Sequence, residues 1–392
     1  MNSPASLSAQ TPTGLAALFE PWRVGDTPVR NRIAMAPCTR QRAHLDGTPT
    51  EIMATYYRQR ASAGLIITEG ISPSPAGNGY LFAPGLYTDA HEAAWAKVAD
   101  AVHAEGGAIF GQIMHVGRLS DPLIQPPGQT PVSASAVQPD PTARHYAFNC
   151  PKPKRVYGTP RALTVPEIHG VVAEYADCAR RARSAGFDGV EIHAASGYLP
   201  MQFLTPNTNQ RRDAYGGDVE GRARFLLECV EAMQAATNPG FVAVKVSPGW
   251  TFHDVFDDDP IATYSYLTQA LSQRRIAYLQ VGNYGMDWDV YGTLRPLFDG
   301  PMIGAAGFAR QSAAAALQSG RLDLIACGQA LIANPDLVAR YQNGWPLNRT
   351  DPANYYTQGE DGYIDYPVYA DADPARLVPV DSGPTPIERP VD

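Results

Sequence analysis

Eight short apolar runs, seven of them followed by a longer amphipathic stretch, constrain this chain more than any other feature. The runs are rich in Val, Ile and Ala, and they predict strands over 32–36, 65–68, 108–113, 189–193, 242–246, 278–281, 302–304 and 324–327. The intervening patterns predict helices over 50–63, 90–105, 166–185, 221–236, 261–274, 310–319 and 335–343. Pro166, Pro260 and Pro335 each sit where a first helical turn tolerates the missing N–H. Strands that alternate with helices pair in parallel, and strands apolar on both faces are covered on both faces. Eight such units predict a single-domain α/β chain closed into a (β/α)8 TIM barrel, with a doubly wound open sheet as the runner-up.

Two stretches break the alternation. Residues 119–160 carry nine prolines and little periodicity, far more than a barrel loop needs, and read as a lid or cap inserted after strand 3. The tail over 370–392 is Pro-rich and reads as an extended arm or disordered, and residues 1–16 as an N-terminal extension, which leaves the barrel at 17–369. The formal net charge of -8 offers no basic face, so nucleic acid is excluded as a partner. Five scattered cysteines form no C-x-x-C pair, the first residues lack a secretory pattern, and no apolar run is long enough for a membrane span. A reduced, cytoplasmic protein, monomer or homodimer, is the expectation.

Several motifs carry nothing. Neither a P-loop nor a G-x-G-x-x-G fingerprint is present, and His91-Glu92 lacks the second histidine of a zinc helix. The run Asp257-Asp258-Asp259 reads as a solvated loop, and no metal site is expected. Lys152, Lys154 and Arg155 could contact a dinucleotide phosphate or simply face solvent.

Barrel chemistry sits at the C-terminal ends of the strands. There this sequence places Pro37-Cys38-Thr39-Arg40, Glu69-Gly70, Gln112 with Met114 and His115, His193 with Ser196 and Tyr198, Lys245, Ala306-Gly307, and Gly328-Gln329. Small residues after strands 7 and 8 suit close approach of a phosphate to the backbone.

At this point a resemblance becomes specific. Asn31-Arg32-Ile33-Ala34-Met35-Ala36-Pro37-Cys38-Thr39-Arg40 resembles the first strand of the old yellow enzyme family, and the segment from Tyr57 through Ala63-Gly64-Leu65 to Glu69 its first helix and second strand. His115-Val116-Gly117-Arg118, Gly197-Tyr198 with Gln202-Phe203-Leu204, and Asn209-Gln210-Arg211 leading to Tyr215-Gly216-Gly217 extend the likeness. Ile332-Ala333-Asn334-Pro335-Asp336-Leu337 and Gly362-Tyr363-Ile364-Asp365-Tyr366-Pro367 complete it, so that it covers roughly 17–369 in order.

The resemblance implies an enzyme that uses FMN to pass hydride from NADPH or NADH to an activated alkene, a small molecule. It puts Pro37, Cys38 and Thr39 beside the flavin ring, Thr39 near its redox-active edge, and Gly70 and Gln112 at its polar edge. It gives Lys245 the charge beside the reduced ring, and Ala306, Gly307, Gly328 and Gln329 the phosphate. It also implies that His193 holds the substrate carbonyl, that Tyr198 protonates the neighbouring carbon, and that Ser196, Met114, Tyr80 and Tyr356 wall the substrate.

Four of these positions depart from the family. Ser196 stands where a second His or Asn is usual, Met114 where many relatives have Trp, Lys245 for an Arg, and Gln329 for a phosphate-binding Arg. A neutral amide forfeits charge-assisted bonds to phosphate, each worth roughly 1.5–3 kcal/mol. The alternative expectation is therefore a homologue with weak or no flavin, doing non-redox acid/base or binding work. A Schiff-base aldolase built on Lys245 is a further one.

Overall fold

The computed structural model describes residues 14–140 and 156–383. Eight strands close in sequence order: β1 (Ile33–Met35), β2 (Leu65–Ile71), β3 (Ile109–Ile113), β4 (Gly189–Ala194), β5 (Val242–Val246), β6 (Leu279–Gly282), β7 (Met302–Ala305) and β8 (Leu324–Cys327). All neighbours are parallel, and β8 returns to β1 through Ile325↔Ile33 and Cys327↔Met35. The closed barrel replaces the open-sheet alternative, and every strand therefore presents its C-terminal end to one mouth.

Alternate residues fill the interior. Ala34, Leu65, Ile67, Phe110, Ala243, Ile303, Leu324 and Ala326 form one cluster, together with Val24 and Val29. The last two come from an antiparallel hairpin, Trp22–Val24 with Thr27–Val29, which the apolar pattern does not announce. Gly25 makes its turn at φ +52°, and a Cβ there would lie 2.1 Å from the Gly240 carbonyl oxygen. The floor of the barrel is thus closed, and the site can form only at the opposite end.

Outer helices follow the amphipathic stretches. Val165–Ser184 begins with a capping box between Thr164 and Glu167, and Pro260–Gln273 is capped by Asp259. The Asp257-Asp258-Asp259 run is thus a helix entry, and His91 lies in the first turn of Asp89–Ala104.

The elements depart from those the sequence predicts at several points: the helix expected over 50–63 is Glu51–Gln59, and Val290–Leu294 is a short helix between β6 and β7 where none is expected. β2 runs on to Ile71 through a shift of register between Ile67 and Gly70. The last helix starts at Leu337, after a separate short helix Gln329–Ala333. Leu199–Leu204 is helical although its pattern is too short to register.

Within the expected lid, Val132–Ser133 pairs with Arg161–Ala162, and residues 141–155, with Lys152, Lys154 and Arg155, lie outside the described residues. The described part of the tail is an extended arm. Leu377–Val378 pairs with Leu347–Asn348, and Asp381 makes a two-point ion pair with Arg310 at 3.0 Å.

Candidate active site

The residues expected at the strand ends converge on the mouth. β4 delivers His193 and Tyr198 by way of a tight turn, with Ser196 at φ +58° and Gly197 at φ +77°. A Cβ on Gly197 would meet the Cβ of His253 and the Phe252 carbonyl, each at 2.9 Å, so glycine is required there. The His193 and Tyr198 rings meet edge to face, 4.7 Å between centroids. Burial, with Lys245 and His253 nearby, holds the His193 imidazole well below its ordinary pKa, so it is neutral. Its Nδ1 has no hydrogen-bond partner among the described residues. Tyr198 is pushed well above the ordinary phenol range, chiefly by burial, and its hydroxyl lies 2.6 Å from that of Tyr80. Tyr80, Met114, Tyr157 and Tyr198 share one buried cluster, and Gly70 leaves room for the Met114 side chain. Tyr356 is 51% exposed at the mouth, where its charge state influences Tyr198 and Tyr80.

Ser196 is held in place by its backbone. Its N–H donates to Ser247 Oγ at 3.0 Å, and its carbonyl lies 2.8 Å from His253 Nδ1. His253 is the neighbour that braces this turn, and no motif in the sequence marks it.

The opposite rim is built from β1 and β2. Pro37, Cys38 and Thr39 are half-buried. Glu69, buried at the end of β2, accepts from the backbone N–H groups of Arg40 at 3.0 Å and Gln41 at 3.2 Å, which fixes that loop. Burial pushes the Cys38 thiol up, against the pull of Lys245 and Arg40, so it is not a reactive thiolate.

Below the rim lies a polar layer of Gln112, Glu191, Lys245 and Gln280, one residue from each of β3 to β6. Lys245 pairs in register with His193 on one side and Gln280 on the other. Gln112 Nε2 donates to Glu191 Oε1 at 2.8 Å. Glu191 and Gln280 are not among the residues expected from sequence, although residues two apart on a strand share a face and Glu191 is two before His193.

Gln202 explains the Gln-Phe-Leu motif. Fully buried, it donates to the carbonyls of Val116 and Gly197 and accepts from the Arg118 N–H and the Ser133 hydroxyl. One amide thereby ties the β3 and β4 ends to the short Val132–Ser133 strand.

The site fits FMN. An isoalloxazine edge needs donors and acceptors, and the Gln112 amide and the Lys245 ammonium supply both. A phosphate needs N–H groups with open space before them. Ala306 and Gly307 turn at φ +77° and +87°, and a Cβ on Gly307 would meet nothing within 4 Å. Gly328 faces Cys38 across the β8–β1 seam, where a Cβ on the glycine would lie 3.4 Å from the Cys38 Sγ. Gln329 stands beside this cradle as a half-buried neutral amide.

A barrel of this form, with a flavin-compatible mouth and a His/Tyr pair at β4, defines a flavin oxidoreductase. Residues 17–348 match the NADH:flavin oxidoreductase / NADH oxidase family, and the chain belongs to it. A probable flavin mononucleotide-dependent alkene reductase of Leishmania infantum is 40% identical over 357 residues, 89% of this chain and 97% of that protein. 12-Oxophytodienoate reductase 1 of Oryza sativa subsp. japonica is 37% identical, covering 95% and 98%. Among solved structures, morphinone reductase in complex with tetrahydroNAD superposes with a TM-score of 0.86 at 41% identity, covering 92% of this chain and 98% of that one. The old yellow enzyme homologue from Zymomonas mobilis gives 0.86 at 39% identity, covering 90% and 99%. The chain is therefore an FMN enzyme using a nicotinamide reductant, and the expectation of a flavin-free or Schiff-base barrel gives way.

Proposed function

We propose that this enzyme reduces the C=C of an α,β-unsaturated carbonyl or similar activated alkene, His193 holding the carbonyl and Tyr198 supplying the proton. FMN, held by Pro37, Cys38, Thr39, Gly70, Gln112 and Lys245 with its phosphate at Ala306, Gly307, Gly328 and Gln329, would carry hydride from NADH or NADPH to that alkene. The observation that carries the reading is the contact between a neutral His193 with a free ring nitrogen and a protonated Tyr198. A neutral imidazole N–H stabilises enolate charge as it develops on the carbonyl oxygen. A phenol kept protonated by burial is a proton donor at neutral pH. Met114, Tyr80, Ser196 and Tyr356 would bound the substrate, with Ser196 acting through its backbone.

We assign 17–369 to the barrel domain and 119–160 to its lid. A cytoplasmic location and a monomer or homodimer fit a chain in which Cys38, Cys178, Cys229 and Cys327 are free thiols. Among the described residues no helix is long and apolar enough to cross a membrane. The test is Tyr198→Phe, followed by anaerobic rapid mixing. Flavin reduction by the nicotinamide should survive, and turnover of an enone should fall by roughly 10²–10⁴. Equal loss of both half-reactions would refute the proton-donor role.

A further inference from the structure

Glu191 is a carboxyl with no solvent exposure at the centre of a barrel, and the reaction as described above does not use it. The polar groups around it are donors. Gln112 from β3 donates at 2.8 Å. The amide end of Gln280 from β6 lies 2.8 and 3.2 Å from the two carboxylate oxygens, and assigned to suit an ionised carboxylate it donates its NH2 to both. The phenol of Tyr278, just before β6, lies against the same group, and Lys245 from β5 faces it across the layer. Along β4 the next inward ionisable group is the neutral His193.

This donor set favours an ionised carboxylate. A protonated carboxyl carries an O–H that needs an acceptor: the Tyr278 oxygen, or the carbonyl end of Gln112 or Gln280 once that amide turns over. Ionised, Glu191 takes the NH2 of Gln112, and the amide carbonyl is the end left for another group. The resemblance has Gln112 offering both ends of its amide to the cofactor. The structure leaves the carbonyl end for it.

We propose that Glu191 is a positioning residue for the cofactor: it fixes which end of Gln112 faces the flavin and offsets the Lys245 charge, so that its ionisation governs how readily the bound flavin is reduced. The inference rests on the reading of Gln112 and Lys245 as cofactor contacts. Burial raises the Glu191 carboxyl to about 7 against the pull of Lys245 and Gln112, so both forms are populated in the physiological range. Hydride from the nicotinamide brings two electrons and one proton to the ring. The negative charge that results raises the proton affinity of Glu191, which takes one proton from solvent.

The experiment is a spectroelectrochemical titration of FMN-loaded wild type, Glu191→Gln, Gln280→Met and Gln112→Met at pH 5.5 and 8.5. At pH 5.5 wild type and E191Q should agree. At pH 8.5 the reduced-to-oxidised ratio of E191Q at a fixed potential should exceed that of wild type tenfold or more, a shift of about 30 mV for a two-electron couple. Gln280→Met, which removes a donor to the carboxylate but no charge, should keep Glu191 protonated to higher pH, so its potential should match wild type at pH 5.5 and lie above it at pH 8.5. It keeps the test decisive if E191Q fails to fold. A gap of the same size at both pH values, or none at either, would overturn the proposal. If Gln112→Met alters FMN affinity or potential while the Glu191 and Gln280 variants do not, the pocket stands and the coupling is overturned. If Gln112→Met also leaves both unchanged, the pocket reading falls with it.

Discussion

Replacing Tyr80 by Phe removes one hydroxyl from the reaction path and little else. The two phenol oxygens of Tyr80 and Tyr198 lie 2.6 Å apart, and only one hydrogen can lie between them. If Tyr198 donated it, no Tyr198 proton would face the substrate. Burial raises Tyr80 to about 12 and Tyr198 further still, and the more acidic phenol is the better donor. With Tyr80 as the donor, the Tyr198 O–H is left for the substrate. As Tyr198 gives up its proton, the bond from Tyr80 becomes charge-assisted, worth about 1.5–3 kcal/mol when fully developed. With the proton about half transferred at the transition state, roughly half of that is lost in the variant, or about 3- to 10-fold in rate. Anaerobic stopped-flow separates the two halves of the cycle by flavin absorbance. Reoxidation by an enone should slow by that factor, and reduction by the nicotinamide should be unchanged. An unaltered reoxidation rate would refute the donor assignment, and equal slowing of both halves would indicate general disruption.

Gln329→Arg should restore a cation at the phosphate cradle and tighten FMN by about tenfold, one charge-assisted bond discounted for its half-exposed setting. Fluorescence titration checks this, and the gain should shrink at high salt. Gln202→Leu leaves the Gly197 carbonyl and the Arg118 N–H without their partner and takes one of two donors from the Val116 carbonyl, and should lower stability by about 2–4 kcal/mol in urea unfolding. Glu191 has a folded-state pKa of about 7, above its ordinary value. Its contribution to stability is present below the ordinary carboxylate range and lost as the pH rises through about 7, up to about 3 kcal/mol at 1.36 kcal/mol per unit. Urea midpoints of wild type should therefore fall between pH 5 and pH 8 by more than those of Glu191→Gln, and parallel profiles would contradict the assignment.

The barrel is legible in the sequence because each strand buries both faces, and a continuous apolar run between turn residues survives without tertiary information. What escapes does so for local reasons. In the sequence β2 stops at Thr68 because Glu69 and Gly70 break the apolar run, yet the ladder resumes beyond the irregularity at Gly70↔Gln112. The floor hairpin carries three residues per strand with Pro28 in one of them, too little pattern to register. At the site, His193 and Tyr198 are visible through their motif. Glu191 reads only as part of a strand, and nothing but the parity of that strand points it inward. His253 lies in a loop some sixty residues further on, and its contact with the Ser196 carbonyl is made by the fold alone.

The loops at the mouth also show what the buried arginines around it are engaged in. Long irregular segments bury carbonyls that no ladder satisfies, and a guanidinium with five donors can satisfy several at once. Arg40 and Arg42 both bind the Tyr355 carbonyl, and Arg42 reaches that of Asp361, which holds the Tyr356 segment against the mouth. Arg60 takes the carbonyls of Leu331 and Ile332 behind Gln329, and Arg118 those of His253 and Asp254. Each of these four side chains is almost wholly buried. Turning any of them to a phosphate would strand at least one buried carbonyl at about 1–3 kcal/mol, comparable with what the phosphate contact returns. The arginines are thus fixed as braces for the loops. The positive character of the site falls to Lys245 in the polar layer and to the backbone N–H groups at Gly307 and Gly328. That division makes Glu191, the carboxylate facing Lys245 in that layer, the group best placed to tune the cofactor.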